Sequence, residues 1–193
     1  MTMRYESYSF RFADPVINSK LVLKNEILEV IKEVQPGSPR QGSKRKFDYD
    51  QKQLNDDFVK GFVKRKWNRQ PKSVKGLNLK ADFNKERVQI EVQFGNVARY
   101  YADLLKFQIA FLQGDIDVGV EIVAIQSFAK KMGENLANYE RCVREVEHFK
   151  TIITMPTWII GVEPDNKTGK ARVNKSDEDF EKPSSIEEYE EDI

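Results

Sequence analysis

ADFNKERVQIEVQF, residues 81–94, is the stretch that decides the fold and points to the chemistry. Within it Val88, Ile90, Val92 and Phe94 alternate with Gln89, Glu91 and Gln93. A period of two is that of a β-strand with one apolar and one polar face. The alternation predicts a half-buried strand carrying Glu91 and Gln93 side by side on its polar face. Asn84, Lys85 and Glu86 read as a turn, and a hairpin closing there returns Asp82 to the side of Glu91. Two carboxylates converging on one point, with a polar neighbour, suit a hard divalent cation. The spacing taken bare is weakly specific, because acids are common on exposed strand faces.

Working outward, residues 4–12 alternate Tyr8, Phe10 and Phe12 with polar partners and predict a strand. Residues 19–34 set Leu23, Ile27, Val30, Ile31 and Val34 on one helical face, and Pro36-Gly37 ends that helix. Residues 51–67 repeat the pattern with Leu54, Phe58, Phe62 and Trp67. Downstream, residues 97–113 predict an apolar helix closed by Gly114. Residues 117–125 predict a buried strand, 134–149 a further helix, and TWIIGV at 157–162 a last strand. A strand, a helix of this length and another strand imply a parallel crossover. The expected architecture is α/β: a mixed central sheet flanked by helices on both sides. One domain is expected over residues 1–175, with its core at about 78–163.

The net charge of +1 hides a polarised distribution. Between residues 40 and 80 stand thirteen Lys/Arg against four Asp/Glu, an excess that suits an anionic polymer. Lys44, Arg45, Lys46, Lys64, Arg65, Lys66 and Arg69 are the candidate phosphate contacts. Read without context, such a run is simply solvated surface. Residues 176–193 are acidic and poor in core residues, the composition of a flexible tail. No apolar run approaches the ~20 residues that span a bilayer. The N-terminus carries no apolar signal core, and the single Cys142 allows no intrachain disulfide, so a cytoplasmic protein is expected.

DFNKERVQIEVQFGN, then DIDVGVEI, then NYERCVREV, together resemble type II restriction endonucleases of the BglII/BstYI family. The likeness is close over residues 81–163, where the runs IEVQFG and IDVGVEI keep their order and spacing. The resemblance implies a restriction-endonuclease-like core of the PD-(D/E)XK superfamily, whose motif places two acids and a lysine around Mg²⁺. By position, Asp82 and Glu91 fall on the metal-binding acids, the Val92 carbonyl would be a further oxygen ligand, and Gln93 fills the lysine slot, as it does in the resembled enzymes. Glutamine can orient a water but is no general base at neutral pH. The resemblance leaves the metal and a substrate phosphate as alternative sources of deprotonation. Asn68 is a candidate additional active-site group, with Gln70 beside it; Glu26 and Glu29 are weaker ones.

The resemblance also implies a homodimer that binds a palindromic duplex, two-fold protein symmetry matching two-fold DNA symmetry. Asn96, on the exit from the strand, and Glu134 with Asn135, before the 134–149 helix, occupy base-reading positions. Glu134 departs from the residue expected there, so the target can differ from the family's GATC-centred sites; its competing reading is a helix N-terminal acid held by the dipole. The expected reaction is Mg²⁺-dependent hydrolysis of both strands, leaving 5′ overhangs, with a companion methyltransferase protecting the same site. The competing functions are a structure-selective or repair nuclease and a DNA-binding protein without catalysis, the latter disfavoured by the presence of both acids. His148 reads as a surface or helix-end residue, and Cys142 as core. Asp115, Asp117 and Glu121 cluster near a strand, where a second metal site competes with the reading that the stretch serves the fold.

Overall fold

A computed structural model of the chain describes residues 2–37, 47–72 and 78–165. Lys44, Arg45, Lys46 and the acidic stretch 176–193 lie outside the described residues. The strands are β1 (Met3–Phe10), β2 (Asn68–Arg69), β3 (Phe83–Lys85), β4 (Val88–Gln93), β5 (Val118–Ala124) and β6 (Thr157–Pro164). The helices are α1 (Ala13–Ser19), α2 (Leu21–Glu33), α3 (Gln51–Lys64), α4 (Val97–Leu112), α5 (Gln126–Met132) and α6 (Tyr139–His148). The strands form a mixed sheet in the order β1-β6-β5-β4-β3-β2. Its centre, β4-β5-β6, is parallel, and both flanks are antiparallel. Helix α4 makes the crossover from β4 to β5, as the spacing of those segments predicts.

Two apolar clusters cover the two faces. On one, Ile27 and Val30 of α2, Phe58 and Phe62 of α3 and Phe128 of α5 pack on Val88, Ile90, Val120 and Ile122. On the other, Tyr100, Leu104 and Phe107 of α4 and Val146 of α6 pack on Val123 and Ile159. Each such side chain, fully buried, contributes roughly 1.5–3 kcal/mol. Gly119 of β5 sets how near α4 can lie: a Cβ there would sit 2.8 Å from the Phe107 ring. Among the described residues no helix is long and apolar enough to cross a membrane.

Four local readings change. The turn is not at 84–86; Asn84 and Lys85 belong to β3, and Glu86 and Arg87, both left-handed at φ 45° and 68°, make a two-residue turn of the kind that matches strand twist. The polar face of β4 is not solvent-facing, because α4 lies across it and buries Gln89, Glu91 and Gln93. The helix expected over 134–149 begins at Tyr139, with Asn138 as its cap accepting from the Arg141 amide; residues 133–138 form a loop. Helices α1 and α5, seven residues each, have no counterpart in the sequence reading, since about two turns give too little periodicity to detect.

Candidate active site

The hairpin makes the carboxylate pair. In the β3–β4 register Phe83 faces Ile90, so the next step outward sets Asp82 against Glu91. The Asp82 amide donates to Glu91 Oε2 at 3.3 Å, and the Val92 amide donates to Asp82 Oδ2 at 2.9 Å. Burial raises the Asp82 carboxyl above its ordinary value, against the Val92 N–H and the Lys106 charge, which favour its ionised form. Burial likewise pushes Glu91 up, to about 8, with Asp103 adding to the effect and Lys106 opposing it.

Helix α4 supplies two residues the sequence reading missed. Asp103 Oδ2 accepts from Gln93 Nε2 at 2.9 Å, and its Oδ1 lies 2.7 Å from Lys106 Nζ. The same ammonium lies 2.8 Å from Glu91 Oε1 and donates to the Lys80 carbonyl at 3.2 Å. Burial alone would lower Lys106, but Asp103 and Glu91 outweigh it and hold the ammonium above its usual value. The available signal was Asp103 itself, a carboxylate in the stripe Tyr100, Asp103, Leu104, Phe107 that α4 turns inward. Leu105, counted among the apolar residues of this helix, is 53% exposed.

Gln93 Oε1 accepts from the Gly95 amide at 2.9 Å. One amide hydrogen and one carbonyl lone pair remain for a further partner. Glu121 pairs with Glu91 in the β4–β5 register and is fully buried. Neither of its carboxylate oxygens has a hydrogen-bond partner, and burial, followed by the nearby Asp103 and Glu91 charges, raises it well above the ordinary value. Asp82, Glu91, Gln93, Asp103 and Lys106 all line one cleft of about 700 Å³, with Arg69 among the cations at its wall.

The remaining candidates separate. Asn68 turns to Asn84, donating to its Oδ1 at 3.1 Å, and is not part of the cleft wall; Gln70 is. Glu26 accepts from Trp67 Nε1 and from Lys85, both at 2.8 Å, a clamp between α2 and the hairpin. Arg65 is engaged by Glu29 at 3.2 Å and Glu33 at 2.6 Å, whereas Lys64, Lys66 and Arg69 are exposed. Asp117 pairs with Arg87 and Lys20. Cys142 is buried and His148 exposed.

Asn96 and the 133–138 loop, read separately in the sequence, are neighbours. The Val97 amide donates to the Asn135 carbonyl and the Ala137 amide to the Gly95 carbonyl. Asn96, Glu134 and Asn135 are all exposed. Asn96 also caps α4, its Oδ1 accepting from the Ala98 amide at 2.9 Å. Glu134 stands five residues before α6, so the reading of it as a helix N-terminal acid does not hold.

Residues 5–162 match the family model described as restriction endonuclease BglII/BglIII. The chain belongs to that restriction endonuclease family. Membership makes it a type II site-specific endonuclease, a hydrolase acting on DNA. The fold is that of BglII: the structure of BglII complexed with a DNA 16-mer superimposes with a TM-score of 0.68 at 17% identity, covering 86% of this chain and 78% of that one. Free BglII gives 0.61 at 16% identity, covering 86% and 82%. No curated protein matches the sequence. Seen as a BglII-family enzyme, the chain carries the cleft with Asp82, Glu91 and Gln93 at the carboxyl end of β4, one of the central parallel strands, where open α/β sheets hold their ligands.

Proposed function

We propose that this BglII-family endonuclease uses Mg²⁺ held by Asp82, Glu91 and the Val92 carbonyl to hydrolyse both strands of a short palindromic duplex, acting as a homodimer. The observation that carries the proposal is the pairing of the Asp82 and Glu91 carboxylates across the hairpin, within the cleft. The donor set fits the cation. It is all oxygen, and among the described residues no cluster of three or more His, Cys, Asp or Glu side chains forms a cage. Mg²⁺ takes one or two carboxylates and keeps its waters. A divalent cation would also compensate two carboxylates that burial otherwise disfavours as anions. Bound there, it would make a water acidic and offset charge developing on the scissile phosphate.

The chain's own part is orientation. Asp103 and the Gly95 amide fix Gln93, whose free N–H and lone pair are available to hold a water in line with the phosphate. Arg69, at the cleft wall, and the exposed Lys64 and Lys66 supply phosphate contacts that set the register of the duplex. Lys44, Arg45 and Lys46 complete the basic stretch in the same role. Asn96, Glu134 and Asn135, brought together beside the start of α4, read bases: asparagine pairs with adenine and a carboxylate accepts from cytosine N4. The likeness to the family supports a GATC-centred target cut to leave 5′ overhangs, with Glu134 the position at which the site can depart from it, and a companion methyltransferase protecting the same site in the host. Residues 1–175 act as the nuclease domain.

Digestion of a fully sequenced plasmid, followed by sequencing of the ends, tests this reading. Discrete fragments that need Mg²⁺ and end in one palindrome with 5′ extensions are expected. A smear, or cutting at unrelated ends, would overturn it.

A further inference from the structure

We propose that Asp103 and Lys106 form one positioning unit for the active site, Lys106 fixing Glu91 and Asp103 fixing Gln93. This rests on the nuclease reading in taking Glu91 and Gln93 as the working groups. The two residues stand three apart on α4, so they lie one above the other on a single helical face. That face is pressed onto the polar side of β4 by Phe107 against Gly119. Asp103 divides its carboxylate, one oxygen to Gln93 Nε2 at 2.9 Å and the other to Lys106 Nζ at 2.7 Å. Lys106 takes Glu91 Oε1 at 2.8 Å, and its other contacts, Asp103 and the Lys80 carbonyl, use its remaining hydrogens. With Oε1 held, Glu91 presents Oε2 toward Asp82, whose amide meets it at 3.3 Å.

The ammonium side chain is only 13% exposed. A long, buried lysine with three partners has no freedom to sweep the cleft, so its effect passes through Glu91. Groups that hold a metal-ligating carboxylate in place typically account for about 10- to 100-fold in metal affinity or activity. The alternative is a placeholder: an ammonium that merely neutralises two carboxylates and is displaced when a cation arrives. The two make opposite predictions for metal binding. Removing a placeholder cation tightens Mg²⁺ binding, and removing a positioning group weakens it.

The test uses the full chain with Lys106→Cys. Cys142, the other cysteine, is buried, so alkylation is directed to position 106. 2-Bromoethylamine rebuilds an amine of lysine length, while iodoacetamide leaves a neutral amide. The unmodified variant is expected to lose about 10- to 100-fold in single-turnover cleavage and to bind Mg²⁺ more weakly by calorimetry, to melt below wild type because the buried Glu91 and Asp103 lose their shared partner, and to keep a metal-free DNA affinity near wild type. Aminoethylation is expected to restore both cleavage and Mg²⁺ binding, and iodoacetamide neither. Asp103→Asn, which removes the negative charge but keeps the shape of the side chain, is expected to lower the cleavage rate with KM unchanged. Full activity of the unmodified variant, tighter Mg²⁺ binding, or equal recovery with both reagents would overturn the proposal. So would a variant that melts early and is not restored by the amine. Wild type that binds Mg²⁺ but does not cut would instead defeat the nuclease reading on which the proposal stands.

Discussion

The Asp82 amide donates to Glu91 Oε2 at 3.3 Å, while the Asp82 carboxylate accepts from the amide of Val92, the residue after Glu91, at 2.9 Å. The two acids are thus fixed by backbone as well as by each other, and their separation is set by the hairpin register rather than by flexible side chains. Such a pair is costly to bury. Donors from the Val92 and Asp82 amides, the Gln89 side chain and Lys106 offset part of that cost, and the cost that remains is available to favour a bound cation.

That cost gives a pH dependence. Burial holds Glu91 up to about 8, so in the metal-free protein below that pH the carboxyl carries a proton that a cation must displace. Mg²⁺ affinity should therefore rise about tenfold per pH unit up to about pH 8 and level off above it. Calorimetric titration from about pH 6 to about 9 reads this directly. Affinity that stays flat below pH 8 would show Glu91 already ionised.

Two neighbouring arginines should behave differently. Arg69 lines the cleft, and Arg65 is bound to Glu29 and Glu33. Arg69→Ala should reduce the slope of log affinity against log salt by about one, with little effect on stability. Arg65→Ala should leave the slope unchanged and cost about 1 kcal/mol of stability, from the lost ion pairs and packing. DNA-binding titrations over a salt series, with urea melts of both variants, separate the two. The reverse assignment would relocate the DNA-facing surface.

Much of this was legible in the sequence, and the limits are physical. The period of two over residues 88–94 identifies β4 and its polar residues, and the β4-α4-β5 spacing gives the parallel crossover. The partner acid follows from a hairpin, even though its turn was misplaced: Glu86 and Arg87 adopt left-handed backbone without the glycine or asparagine that advertises it. Periodicity places residues on a face but cannot say what covers that face. The burial of Glu91 and the recruitment of Asp103 and Lys106 depend on how closely α4 settles on β5, which Gly119 controls. The fate of Arg65 likewise depends on α2 packing beside α3, a contact between segments distant in the chain.

Glu121 predicts a stability effect. Its folded-state carboxyl sits well above 4.5, so above about pH 4.5 the unfolded chain releases a proton that the folded protein keeps. Stability then falls as pH rises, by roughly 1.4 kcal/mol per unit for one proton, until the folded group itself ionises. Glu121→Gln should remove that share of the slope. Urea denaturation across a pH series measures it, and an unchanged slope would mean that Glu121 is ionised in the folded protein.

Base reading should divide between two sides of the 133–138 loop. Asn96→Ala removes the α4 cap and should cost about 1 kcal/mol of stability, together with preference at its base position. Glu134 has no capping role, so Glu134→Ala should change site preference alone, by about 1–3 kcal/mol of discrimination if it reads a base. Selection of cleaved sites from a randomised duplex library measures both. Unchanged preference in Glu134→Ala would place its carboxylate outside the groove.

The most direct test of the central claim is cleavage of plasmid DNA by wild type and by Glu91→Ala, each with and without Mg²⁺, with duplex binding measured in parallel. The account predicts discrete fragments only from wild type with Mg²⁺, and retained duplex binding by Glu91→Ala. Cleavage by Glu91→Ala at the wild-type rate, or by wild type without a divalent cation, would contradict it.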